Sequence, residues 1–162
     1  MGDELDEKFM REAIELSKEG DWPYGSVIVD GNGKVLARAF NTGVKDRDCT
    51  RHAEMNAIRI AQHALPDDTA DLEGCTLYSS SEPCPMCATA IVWSRVSRVV
   101  FGATIKRLIS EAGQMQISIS FEEVVKAAKP WTTCSEFRQG VLEDEALEVV
   151  KEKASPRLEE AK

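Results

Sequence analysis

His52, Glu54, Cys84 and Cys87 combine side-chain types and spacings that suit metal and proton chemistry. In "RHAEMNAIRIAQHAL" the apolar residues Ala57, Ile58, Ala61 and Leu65 recur at helical spacing. The same stripe, projected back one turn, reaches Glu54. A carboxylate on the buried face of a helix is costly unless something pairs with it or uses it. His52 stands two residues earlier. Roughly thirty residues later, Cys84 and Cys87 in "PCPMC" offer two thiols at the start of another expected helix.

One imidazole and two thiols make three zinc ligands. Catalytic zinc commonly takes three protein ligands and keeps its fourth position for water, whose pKa it lowers to about 7. Cys-x-x-Cys spacing lets two sulfurs from one helix start reach one ion, and a helix N-terminus favours the thiolate. Residues two apart on a helix do not face each other. His52 reaching off the helix end toward a metal therefore leaves Glu54 deeper, as a proton carrier and not a ligand. Two plainer readings stand beside this one. "CPMC" alone suits a redox pair, which leaves His52 and Glu54 unexplained. A closed structural zinc site needs a fourth ligand, for which Cys49 is the candidate.

The elements around these residues follow from pattern. "LDEKFMREAIELSKEG" reads as an opening helix, with Leu5, Phe9, Ala13 and Leu16 on one face and Gly20 as a stop. "YGSVIVD" and "KVLARAFN" read as strands around "DGNG", a hairpin turn. The loop "NTGVKDRDCTR" leads into a helix from about His52 that ends before Pro66. "CTLYSSS" is a strand, "PCPMCATAIVWSRV" a helix opened by prolines, and "RVVFGAT" a strand. Short helices follow in "KRLISEAGQM" and "FEEVVKAA", then a strand in "TCSEFRQ" and a helix in "VLEDEALEVVKEK". This order suggests one layered α/β domain over residues 1–153, followed by a solvated tail at 154–162.

Bulk properties set limits. The chain has 162 residues, 43% hydrophobic and 30% charged, with a formal net charge of −8. That suits one globular domain and argues against a general binder of phosphate backbones. Arg47, Arg51, Lys106 and Arg107 are the candidates for a local basic groove. No apolar run approaches the roughly 18 residues of a membrane span. The acidic "MGDELDEKFM" start does not read as a signal peptide, so a cytoplasmic protein without a membrane partner is expected. Five cysteines fit a disulfide framework poorly.

"HAE" at 52–54 followed by "PCPMC" at 83–87 resembles the cytidine-deaminase-like superfamily, whose signature is His-x-Glu and then Pro-Cys-x-x-Cys. "WPYGSVIV", "ARAFN", "RHAEMNAI" and "LYSSSEPCPMCATAIVWSRVSRVVFG" line up in order with bacterial guanine deaminases and tRNA adenosine deaminases. The resemblance covers residues 8 to about 104. "EPCPMC" with "AIVWSR" looks most like the guanine branch, and "GVLEDEA" more like the tRNA branch.

The resemblance implies a three-layer α/β/α fold around a mixed sheet of about five strands, a homodimer, and hydrolytic deamination of an aminated ring. It implies one Zn2+ per chain on His52, Cys84 and Cys87, with Glu54 as the catalytic proton carrier. It places the Ala53 N–H and the Asn41 amide against the ring, Tyr24 stacked on it, and Trp93 lining the pocket. Guanine deaminases tend to carry Ala-Gly-Phe-Asp, with a base-reading carboxylate, where this chain has "EAGQMQ", so the resemblance puts Gln114 or Met115 in that region, and an amide there can both donate and accept. Each residue also has a plainer reading. Asn41 before "TG" suits a turn, Tyr24 after Pro23 a turn aromatic, and Trp93 a core position. Cys75 and Cys134 read as small buried strand residues and His63 as solvated. A guanine-type purine is the first substrate suggested. tRNA adenosine, cytosine and a pterin are alternatives, and a zinc-stabilised interaction module is the non-enzymatic one.

Overall fold

The computed structural model describes residues 2–66 and 71–160, with side chains to residue 153. Helix α1 (Asp3–Ser17) precedes a hairpin of β1 (Gly25–Val29) and β2 (Val35–Phe40). Asp30 makes the turn: its Oδ1 accepts from the backbone N–H groups of Asn32 and Lys34, both at 2.9 Å. Gly33 takes the left-handed backbone that this turn requires, at φ 81°. Then follow α2 (Ala53–His63), β3 (Thr76–Ser81), α3 (Pro85–Trp93) and β4 (Arg98–Ala103). The chain closes with α4 (Ile105–Ala112), α5 (Phe121–Ala127), β5 (Glu136–Arg138) and α6 (Glu143–Glu160).

The five strands form one sheet in the order β2-β1-β3-β4-β5. β1 pairs antiparallel with β2 and β3, whereas β3–β4 and β4–β5 are parallel. Central β3 is buried at every position, as a strand covered on both faces must be. Alternate residues point to opposite layers. Ile28, Leu77 and Val99 pack with Ala57 and Ile58 of α2, Ala88 and Ile91 of α3, and Phe121 of α5. Val27, Tyr78 and Val100 pack with Phe9 and Met10 of α1, Leu108 of α4 and Leu147 of α6. The fold is therefore a three-layer α/β/α sandwich on a mixed sheet, as expected.

Three details depart from expectation. Trp93 is 74% exposed and not a core residue. Cys75 and Cys134 are buried but stand just before β3 and β5, outside the strands. The C-terminal helix, expected in "VLEDEALEVVKEK", runs on as α6 to Glu160. Residues 161–162 of the expected tail lie outside the described residues.

A buried ion pair ties α1 to the sheet. Asp6 is fully buried, and its two oxygens accept from Arg98 Nη1 and Nη2, both at 2.8 Å. Tyr78 Oη donates to the same carboxylate at 2.9 Å and Arg138 Nη1 at 3.1 Å. Burial pushes the Asp6 carboxyl up, but the hydrogen bonds from Arg98, Tyr78 and Arg138 outweigh it and hold the carboxyl below its usual value. A lowered carboxylate contributes stability above its unfolded value near 4, and loses it as pH falls through the folded value. Asp6→Asn leaves Arg98 with Glu136 alone, so the expected loss is about 3 kcal/mol, the low end for breaking a buried pair. Urea titrations at pH 7 and pH 3 check this. The gap between variant and wild type narrows at the acid end.

Candidate active site

Strand direction brings the candidate residues together. β2 and β3 both run antiparallel to β1, so they run the same way and end at the same edge of the sheet. α2 follows β2, and α3 follows β3. Both helices therefore start at that edge, where open α/β sheets commonly bind ligands. β1 begins there, which brings in Tyr24 just before it. β4, parallel to β3, ends there and delivers α4.

His52 is the N-cap residue of α2 and Cys84 that of α3. Both have extended backbones, and neither side chain caps its helix. The two side chains are thus free to meet across the gap. Pro85 opens α3 where no backbone N–H is needed, and Cys87 turns inward, fully buried. His52 Nδ1 lies 3.6 Å from the sulfurs of both Cys84 and Cys87. The three ligand atoms lie within 4.8 Å of one another. Zinc bonds of about 2.0–2.1 Å to nitrogen and about 2.3 Å to sulfur at a tetrahedral centre put N and S about 3.6 Å apart. Both N–S distances therefore match those of a zinc site. Cys49 is exposed and is not part of this group, so the closed four-ligand site is not formed among the described residues.

The donor set, one imidazole and two sulfurs, suits zinc. A hydrogen bond from Cys87, aided by His52, lowers Cys84 to about 4 against the cost of burial, so it is a thiolate at neutral pH. The hydrogen bond to Cys84 and then burial push Cys87 well up. The same Cys84 sulfur raises His52 against burial. The cluster therefore holds one thiolate, on Cys84, and the His52 ring faces it.

Glu54, on the first turn of α2, is 5% exposed. Ser79 Oγ donates to its Oε1 at 3.1 Å, and Cys87 Sγ lies 3.5 Å from its Oε2. Burial, then the Cys84 charge, raises its pKa. Ala53 is fully buried at the first position of α2, where a helix has no internal partner for the N–H. Asn41 is buried just past β2. Its Oδ1 accepts from Gly43 N at 3.0 Å, which is the turn role read from "NTG". Tyr24 is pushed up to about 12 by burial and by the Glu54 and Cys84 charges, a sign of how near it stands. Its hydroxyl donates to Gln114 Oε1 at 3.2 Å.

Trp93 is not brought to the site within one chain. It ends α3, the helix that Cys84 starts, and with Trp131, Val92, Val124 and Ala128 lines a separate apolar depression. Three residues that sequence reasoning missed do belong to the neighbourhood: Ser79, Glu82 and Gln116. The polar run "SSSE" at the end of a central strand was the available signal for the first two. Glu82 is 9% exposed, two residues before Cys84. Its Oε2 accepts from Ile105 N and its Oε1 from Phe121 N, both at 2.8 Å. One carboxylate so holds the first residues of α4 and α5 against the metal loop.

Residues 3–103 match the cytidine and deoxycytidylate deaminase zinc-binding region. The chain belongs to this family. Zinc is the metal of that region, and this deaminase-family chain sets His52, Cys84 and Cys87 to hold it. It is 38% identical over 131 residues to a guanine deaminase of Bacillus subtilis, covering 78% of this chain and 81% of the relative. It is 49% identical over 102 residues to the tRNA-specific adenosine deaminase of the same organism, covering 60% and 62%. A probable cytosine deaminase of Schizosaccharomyces pombe is 44% identical over 113 residues, covering 65% and 67%. The matched part is thus less than two thirds of that tRNA-specific relative, and only 12% of a chloroplastic tRNA(adenine(34)) deaminase of Arabidopsis thaliana. The solved guanine deaminase from Nitrosomonas europaea superposes with a TM-score of 0.76 at 27% identity, over 90% of this chain and 82% of that one. The family match stops before α4, so Gln114 lies beyond it. No helix among the described residues is long and apolar enough to cross a membrane.

Proposed function

We propose that this chain hydrolytically deaminates a free amino-substituted heterocycle, with a guanine-type purine as the first substrate to test. The observation that carries the reading is the buried Glu54 carboxylate beside Cys87, within a cluster whose N–S spacing of 3.6 Å suits zinc. Zinc, when bound, supplies a Lewis acid that makes water nucleophilic near neutral pH. The overall change is water plus a ring C–NH2 giving ring C=O and ammonia. Glu54 takes a proton from the attacking water and delivers it to a ring nitrogen. It then carries a second proton to the departing amine. Burial raises its pKa, the direction that a proton-holding carboxyl needs. Ser79 keeps the carboxylate aimed by donating to Oε1. The Ala53 N–H and the Asn41 amide nitrogen hold ring substituents, and Tyr24 forms the wall against which the ring lies.

A free base is favoured over tRNA on charge. Arg51 faces Asp46 and Asp48, and Arg107 faces Glu111, Glu143 and Asp144. Two of the four basic candidates are therefore neutralised within the chain. The working protein is read as a cytoplasmic homodimer with one zinc per chain and a catalytic domain over residues 1–153. Ammonia release from guanine, guanosine, adenine, cytosine, a pterin and tRNA tests the proposal. Release from at least one free heterocycle is expected. Release from tRNA alone assigns the activity to the RNA, and release from none, with zinc bound, leaves the interaction-module reading.

A further inference from the structure

Beyond β4 the chain crosses the site edge once more, between α4 and α5. Gly113 ends α4 in the left-handed conformation, at φ 62°. The next residues alternate. Gln114 is 7% exposed and Gln116 half-buried, whereas Met115 is 93% and Ile117 62% exposed. The two glutamines turn toward Tyr24. Glu82 holds the helices on both sides of this strap through Ile105 N and Phe121 N. The strap is thus anchored at both flanks to the residue that leads into the zinc loop.

The hydrogen bonds along the strap have a direction. Gln114 Nε2 donates to the Ala112 carbonyl at 3.2 Å. That fixes which end of the amide is which, and turns Oε1 to Tyr24. Tyr24 Oη donates to this Oε1 at 3.2 Å and accepts from Gln116 Nε2 at 3.2 Å. Gln114 is therefore engaged at both ends of its amide. Gln116 uses one N–H. Among the described residues nothing pairs with its carbonyl oxygen, and its second N–H is also uncommitted.

We infer that Gln114 is a positioning residue acting through Tyr24, and that Gln116 is the amide that reads the substrate ring. This rests on the deaminase reading above and revises the expectation that Gln114 contacts the base. A primary amide with a free acceptor and a free donor matches a ring edge that offers a donor beside an acceptor. The lactam edge of an oxopurine has that pattern, and a bare ring nitrogen does not. Guanine and 2-aminopurine share the reacting 2-amino group and differ at that edge, so they make the diagnostic pair.

The experiment compares zinc-loaded wild type, Tyr24→Phe, Gln114→Met, Gln116→Met and the double variant Tyr24→Phe/Gln114→Met on both bases. Gln114→Met is expected to raise KM about 10-fold on both bases alike, with kcat within about twofold; Tyr24→Phe, which also releases Gln116, is expected to do the same and to lose part of the guanine preference. The double variant is expected to be no worse than Tyr24→Phe alone. Gln116→Met is expected to lose about 10-fold of the guanine preference over 2-aminopurine. A changed preference in Gln114→Met with none in Gln116→Met overturns the assignment and leaves the deaminase reading intact. Two-dimensional 15N–1H spectra test the relay apart from activity. In Tyr24→Phe the side-chain amide signals of both glutamines are expected to shift, and unmoved signals overturn the relay even if wild type proves inert on every base.

Discussion

Glu54→Gln is expected to fold, to keep about one zinc per chain, and to lose ammonia release by about 10³-fold, within the range for removing a general acid–base. The amide preserves the shape of the side chain and can still accept from Ser79, whose Oγ lies 3.1 Å from Oε1. What it cannot do is take up and give back a proton. The three zinc ligands do not include Glu54, so metal content is the control for a broken site. The substitution also removes a carboxylate that burial and the Cys84 charge disfavour. The variant is therefore expected to melt at or above the wild-type temperature, a trade of stability for activity that working residues commonly show. Rates within a few-fold of wild type in a zinc-loaded Glu54→Gln sample would falsify the proton-carrier role.

Cys84→Ala carries the second large effect. It removes the sulfur that is a thiolate at neutral pH and lies 3.6 Å from His52 Nδ1. Two ligands cannot hold zinc as three do, and an expected weakening of at least about 100-fold empties the site under mild chelation. Ammonia release falls with the metal. Stability falls as well, because bound metal adds its binding free energy to the folded state. Cys49→Ser is the matched control: an exposed thiol outside the cluster is expected to change neither zinc content nor rate. Metal analysis by mass spectrometry and melting curves with and without chelator provide the readouts. Full activity in a metal-free Cys84→Ala protein would remove this residue from the ligand set.

Much of the site was legible because its signals are local. The apolar stripe of α2 put Glu54 on the inner face, and it is buried there. His52 and Cys84 fell at helix starts because the periodicity and Pro85 mark those starts. Trp93 was misread for a physical reason. "PMCATAIVW" is apolar nearly all round, so its pattern does not say which side faces the core, and the last residue of a nine-residue helix emerged into solvent. Gln114 stands beside Tyr24, but its engagement with Ala112 and Tyr24 could not be read. Tyr24 and Gln114 are 90 residues apart. Glu82 escaped notice because its partners are backbone N–H groups 23 and 39 positions downstream.

The amino-acid sequence by itself determined the ligand types, the helices that begin with them, and the alternation that makes a two-faced sheet. Those follow from backbone sterics, capping and periodicity, which act over a few residues. The tertiary structure alone decided that β2 and β3 run the same way, so that an imidazole and two sulfurs 32 and 35 positions away meet at one edge. It also decided which polar side chains are engaged and which stay free around Tyr24. Contacts of that range come from how elements pack as layers, and no short stretch of chain encodes that alone.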